Sequence, residues 1–219
     1  MDRLKLKNSA KESLKGHYVE FFKMILVYVL ISFVVGFAAG LLDNIFKTTW
    51  TVGEQVLFGQ TYPQTLSLFS TLGEIVLTAA FAFGMTSFFL KISRNEEVTY
   101  KELFNKTGFA VFFIVVSFLV ALFVGLWALL LIIPGIIATY AYKMVYFIKL
   151  DNPEIGALEA ITKSKEMMKG HKWEFFVLEL SFIGWMILGP LTLGILYFWL
   201  VPYMAVTECN FYNNLINNK

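Results

Sequence analysis

The sequence predicts an all-α polytopic membrane protein: six transmembrane helices arranged as three hairpins, each preceded by a cytoplasmic interfacial amphipathic helix. Three observations carry that expectation. Of 219 residues, 58% are hydrophobic and only 16% charged, with a mean hydropathy of +0.66, far more apolar than a soluble domain of this size. Several apolar stretches approach the roughly 20 residues that cross a hydrocarbon core. Lysines and arginines gather in clusters between those stretches.

The spans are expected at 22–42, 66–90, 109–133, 134–149, 173–189 and 191–207. The last three come from dividing long apolar runs at Pro134-Gly135 and Gly189-Pro190, where proline beside glycine suits a tight turn between antiparallel helices. The first span follows a long basic leader and is itself followed by further spans, so it is expected to stay uncleaved. Gly36 with Gly40, Ala80 with Gly84 and Ala121 with Gly125 give small-residue faces for helix packing, and Pro202 is expected to kink the last span.

Orientation follows from charge. Arg3, Lys5, Lys7, Lys11, Lys15 and Lys23 precede the first span; Lys91, Arg94, Lys101 and Lys106 follow the second; Lys149, Lys163, Lys165, Lys169 and Lys172 follow the fourth. The segment 43–65 carries only Lys47. The positive-inside rule then puts both termini and the basic segments in the cytoplasm and 43–65 outside. A net charge of +2 gives no footprint for nucleic acid, and the lone Cys209 excludes an intrachain disulfide.

A near repeat organises the chain. KGHYVEFF at 15–22 and KGHKWEFF at 169–176 contain both histidines, His17 and His171. Each is expected at the end of a surface helix, with Gly16 or Gly170 as a left-handed stop before an aromatic belt. Ser9 to Glu12 and Thr99 to Glu102 fit capping boxes, Asn152-Pro153 fits a helix start, and Gly108 is expected to repeat the stop. The chain therefore reads as one membrane domain, 1–219, built from units 1–92, 93–150 and 151–219.

The run from Leu126 to Ile136 around Pro134-Gly135, then Asp151-Asn152-Pro153-Glu154, Glu159 to Ser164, Met167 to Trp173 and Leu180 to Trp185, resembles the domain-of-unknown-function 975 family of bacterial integral membrane proteins. Ala10 to Tyr18 and Arg94 also fit its pattern. More distantly, Ala160, Ser164 and Gly170 after the Pro-Gly turn are similar to the membrane domain attached to some glycerophosphodiester phosphodiesterases. The first resemblance implies a multi-pass membrane fold. The second hints at lipid-related work, without a catalytic residue or ligand to carry over.

His17 with Glu20 and His171 with Glu174 sit at i, i+3, a spacing that two facing helices can use to bind metal, but no third ligand motif accompanies them and no metal or other cofactor is expected. Enzyme signatures such as HExxH, a nucleophile elbow or a phosphate loop are missing. Ionisable residues at membrane depth carry more weight, because burying them in hydrocarbon is costly. Lys143, beside a stripe of Thr139, Tyr142 and Tyr146, is expected to pair with Glu179; Glu74 stands apart in the outer half of the second span. The expected partners are membrane lipids, together with an amphiphilic ligand or a membrane-protein partner. Handling or transport of a lipid or small amphiphile through a polar intramembrane cavity, a non-catalytic interaction, immunity or scaffold role, and an intramembrane enzyme are the three function classes the residues admit.

Overall fold

A computed structural model describes residues 2–57, 60–105, 107–130 and 132–217. Lys106, and the side chains of 127–132 in the Pro-Gly run, lie outside the described residues. The order is α1 (Arg3–Ser13), α2 (Tyr18–Phe46), β1 (Thr49–Leu57), β2 (Gln60–Ser67), α3 (Leu68–Ser93), α4 (Glu102–Asn105), a 3-10 turn (Thr107–Phe109), α5 (Ala110–Leu130), α6 (Ile132–Ala141), α7 (Val145–Asp151), α8 (Ala157–Met167), α9 (Lys172–Leu180), α10 (Ile183–Leu191) and α11 (Tyr197–Asn217).

Among the described residues, three helices are long and apolar enough to cross a membrane: Tyr18–Phe46, Leu68–Ser93, and Lys172–Leu191 formed by α9 and α10 together. α5 is apolar over the shorter stretch Ala110–Leu126. At a rise of about 1.5 Å per residue, α6 reaches only about half the hydrocarbon thickness. α2 and α3 run antiparallel, with Phe21 against Phe89, Tyr28 stacked on Phe81 and Phe46 against Phe69. The outward side of α2 is uncovered: Phe33, Val34 and Phe37 are mostly exposed, a surface compatible with a membrane.

The segment 43–65 was expected as an outer loop. It contains an antiparallel hairpin, with Thr49 opposite Ser67 and Leu57 opposite Gln60, and a register shift between Thr51 and Gly53. α3 accordingly starts at Leu68 rather than 66. Asp43 ties the hairpin to the helices: Thr48 Oγ1 and the Phe69 amide donate to its Oδ1, and the amide and hydroxyl of Ser70 donate to its Oδ2. An acidic residue from α2 therefore caps the first turn of α3, where free amides favour negative charge.

The two glycine joints share one geometry. Gly16 has φ +88° and Gly170 φ +86°, and the following His17 and His171 lead into α2 and α9 with nearly equal dihedrals. In each, the fourth residue after histidine, Phe21 or Phe175, donates its amide to the histidine carbonyl and buries its ring. Gly108 departs from the pattern, lying in the 3-10 turn and not among the glycines of positive φ. The expected capping boxes are not formed. Asp2 caps α1, which places Ser9 and Glu12 within the helix, and Glu102 reaches Lys91 at 2.8 Å. α8 starts after Gly156, because Lys149 Nζ binds the carbonyls of Pro153 (2.5 Å) and Ile155 (3.0 Å) and holds 152–156 as a loop.

Both expected Pro-Gly turns shift as well. Pro134 and Gly135 lie in the first turns of α6, where a missing proline N–H costs little. Gly189 and Pro190 lie inside α10, and the chain reverses afterwards through Leu193 and Gly194 at φ +51° and +84°. Gly189 has a different use: a Cβ there would meet the ring of Tyr197, whose hydroxyl donates to the Met186 carbonyl at 2.8 Å. The main core lies where α1, α3, α7, α8, α9 and α11 converge, around Leu14, Phe88, Ile92, Met144, Ile148, Met168, Phe175 and Phe211.

Candidate functional site

Two helical paths are interrupted beside charged residues. Between α6 and α7 the chain passes through a tight turn, in which Val145 bonds three residues back to Tyr142. Between α9 and α10 the Phe182 amide likewise bonds three residues back, to the Glu179 carbonyl. Tightened turns within helices leave backbone groups that need other partners. At the first, Ser164 of α8 supplies them: its hydroxyl donates to the Ala141 carbonyl (2.9 Å) and accepts from the Met144 amide (3.2 Å). At the second, Lys7 of α1 donates its ammonium to the Ser181 carbonyl at 3.3 Å.

Lys143 sits in the first interruption and Glu179 beside the second. Their Nζ and Oε1 are 2.8 Å apart, so the expected pair is formed. Two further groups complete the cluster. Tyr140 donates its hydroxyl to Glu179 Oε2 at 2.8 Å, and Glu208 of α11 lies 3.9 Å from the same ammonium. The Lys143 ammonium is also 5.5 Å from the Phe175 ring centroid, within cation–π range. Lys143, Glu179 and Glu208 side chains are 34%, 26% and 24% exposed.

Sequence reasoning missed Glu208 because the sixth span was ended at 207, and missed Tyr140 because the stripe was drawn through its neighbours. Tyr140 precedes Lys143 by three residues, the spacing that signals a shared helix face. The residues chosen instead look elsewhere. Tyr146 hydrogen-bonds Ser117 at 3.0 Å and stacks on Phe113, Tyr142 lies near Phe123, and Thr139 donates to its own Gly135 carbonyl. Tyr142 and Tyr146 therefore pack this stretch against α5. Glu74 is exposed on α3 and has no hydrogen-bonding or ionic partner among the described residues.

The histidines serve their own joints. His17 Nδ1 lies 2.9 Å from the Ser13 carbonyl, while Glu20 turns to Lys23 and the Tyr100 amide. His171 Nδ1 lies 2.9 Å from Glu174 Oε2. Among the described residues, no group of three or more His, Cys, Asp or Glu is placed to hold a metal ion.

A second polar cluster locks helix ends together. Arg94, after α3, makes a bidentate pair with Asp151 of α7, both bonds 2.8 Å, and donates from Nε to Asn213 of α11 at 3.1 Å. Tyr212 donates its hydroxyl to Asp151 at 2.9 Å. Hydrogen bonding to Asp151 raises the Arg94 pKa above its usual range. Burial, reinforced by the negative charge of Asp151, raises the Tyr212 phenol well above 10.

The fold and site define a largely helical protein whose apolar helices are compatible with a membrane, with an ionisable cluster set between two interrupted helices. The chain belongs to the family described as protein of unknown function (DUF975), whose sequence model matches residues 1–134 and 128–219. No curated protein and no solved structure shows a significant match.

Proposed function

We propose that the protein is a six-span bacterial cytoplasmic-membrane protein, with both termini in the cytoplasm, that handles a lipid or small amphiphile and takes its polar head at Lys143, Glu179, Glu208 and Tyr140. The observation carrying this reading is the coincidence of two interrupted helices with one lysine and two carboxylates. Irregular backbone and ionisable side chains are both expensive in hydrocarbon, and membrane proteins that combine them do so where a polar ligand binds. With one ammonium, two carboxylates and a phenol, the cluster offers donor and acceptor to a head group that carries both. Phe175 lies beside the ammonium and Phe176 beside Tyr140, giving the apolar part of an amphiphile a wall to lie against.

A second reading, a non-catalytic interaction or scaffold role, is favoured by α2. Its outward face is exposed, and nothing lies within 4 Å of a Cβ built at Gly36 or Gly40. Solvent extraction of the purified protein, followed by mass spectrometry, separates the two. The ligand-handling reading expects one amphiphile enriched well above its share of the membrane. A lipid profile matching the bulk membrane supports the interaction reading instead.

A further inference from the structure

α1 is a basic helix with a buried apolar side, Leu6, Ala10 and Leu14, turned to the core. Lys7 and Lys11, one turn apart, lie on a different face. With Tyr18, Trp185, Leu196, Trp199, Leu200 and Tyr203 they line a groove of about 330 Å³. Its lining combines two lysines with aromatic and aliphatic side chains. Lys7 is steadied by the Ser181 carbonyl and lies 3.9 Å from the Phe182 ring centroid, and Lys11 is exposed. Among the described residues, neither lysine is paired with a carboxylate, and no acidic residue lines the groove. Burial and the nearby charge of Arg3 lower the Lys7 pKa, the condition of a cation that gains from an approaching anion.

The groove's position matches the chemistry. Tyr18 opens α2, the first apolar helix, and Phe22 one turn later contacts Phe198 and Trp199. Two tryptophans and two tyrosines at the mouth of an apolar helix form the kind of aromatic belt that seats at the headgroup level of a bilayer. Beyond them, Leu26, Val29 and Leu30 continue an uncovered apolar surface along α2.

We infer that this groove is a specific site for an anionic phospholipid, its phosphate held between Lys7 and Lys11 and its acyl chains laid over Trp185, Leu196 and Trp199 toward α2. The site shares no residue with the Lys143 cluster and stands whether or not that cluster binds a ligand. A zwitterionic phospholipid presents the same phosphate beside a choline or ethanolamine cation. Two lysines in a groove lined by no acid disfavour that cation, so the groove discriminates by charge.

The test is native mass spectrometry of the full chain in detergent, titrated with phosphatidylglycerol or phosphatidylcholine. The parent is expected to prefer phosphatidylglycerol. Each lysine near a membrane surface contributes about fivefold to anionic-lipid binding, so Lys7→Gln/Lys11→Gln is expected to lose most of that preference. Lys5→Gln removes the same charge from α1 outside the groove and is expected to retain it. Lys11→Gln alone, at an exposed residue without a structural hydrogen bond, guards against misfolding of the double variant and is expected to lose about fivefold. Equal losses in Lys5→Gln and Lys11→Gln overturn the site in favour of diffuse attraction to the whole helix. Displacement of the lipid by millimolar inorganic phosphate overturns it in favour of a free-phosphate site. Quenching of fluorescence by bromine-labelled phosphatidylglycerol, reduced by Trp185→Phe and Trp199→Phe, is expected if the chains lie as inferred.

Discussion

Lys143 depends on Glu179 and Glu208 for its charge, and Glu179 on Lys143 and Tyr140 for its oxygens. Removing one member of such a set leaves the others uncompensated, whereas removing a pair relieves them. Lys143→Gln is therefore expected to destabilise the protein by more than the about 1 kcal/mol of an exposed pair and less than the about 3–5 kcal/mol of a fully buried one. Lys143→Gln/Glu179→Gln is expected to recover part of that loss in a thermal unfolding series, and additive losses contradict the coupling. Tyr212 gives a pH signature. Its phenol stays protonated in the folded protein above the usual pKa near 10, so the unfolded chain loses that proton first. Stability is then expected to fall more steeply above pH 10 in the parent than in Tyr212→Phe, whereas parallel curves contradict this. The Lys143–Glu179 pair was legible from sequence because charge inside an apolar run is conspicuous. Glu208 was not, because an acid at the end of an apolar run looks like the membrane boundary.

Helical elements were mostly legible, and their interruptions were not. Periodicity reports the average path of a run, and the tight turns after Ala141 and Leu180 change only one turn of hydrogen bonding while leaving composition apolar. The resemblance drew attention to Ser164 without giving its role, which is to satisfy the Ala141 carbonyl and the Met144 amide. Ser164→Ala leaves both without that partner at a fully buried position and is expected to cost about 1–3 kcal/mol in denaturant unfolding, with a loss below about 0.5 kcal/mol counting against the bridge. The glycine joints show the same limit from another side. KGH at 15–17 and 169–171 specified a left-handed stop, but Gly108, without the following histidine, folds into a 3-10 turn. The small-residue faces divide: Gly84 is pressed against Leu103, where a Cβ would come within 2.7 Å of backbone, while Gly36 meets nothing within 4 Å. Gly84→Ala is expected to lower the unfolding temperature by several degrees and Gly36→Ala to leave it unchanged or raise it. The reverse order contradicts this packing.

At the scale of the whole molecule, one end is tightly packed and the apolar helices extend from it with one side uncovered. Arg94, Asp151, Tyr212 and Asn213 fasten α3, α7 and α11 near that end, and α1 closes over α11 through Leu6 and Asn210. Composition reported the apolar character correctly because it does not depend on where helices break. It could not report the hairpin at 49–67, whose strands rest on pairing rather than on a long apolar run, nor how α1 folds back on a helix some 200 residues later. The fastened end keeps its helices in place while the two interrupted paths meet at the Lys143 cluster. Native mass spectrometry of the parent beside Lys143→Gln/Glu179→Gln tests the proposed role of that cluster most directly. With Lys7→Gln/Lys11→Gln in both proteins to remove lipid from the groove, the expected result is one tightly held amphiphile per chain where the Lys143 cluster is intact and its loss from a cluster variant that still folds; equal retention by both proteins, or none by either, contradicts it.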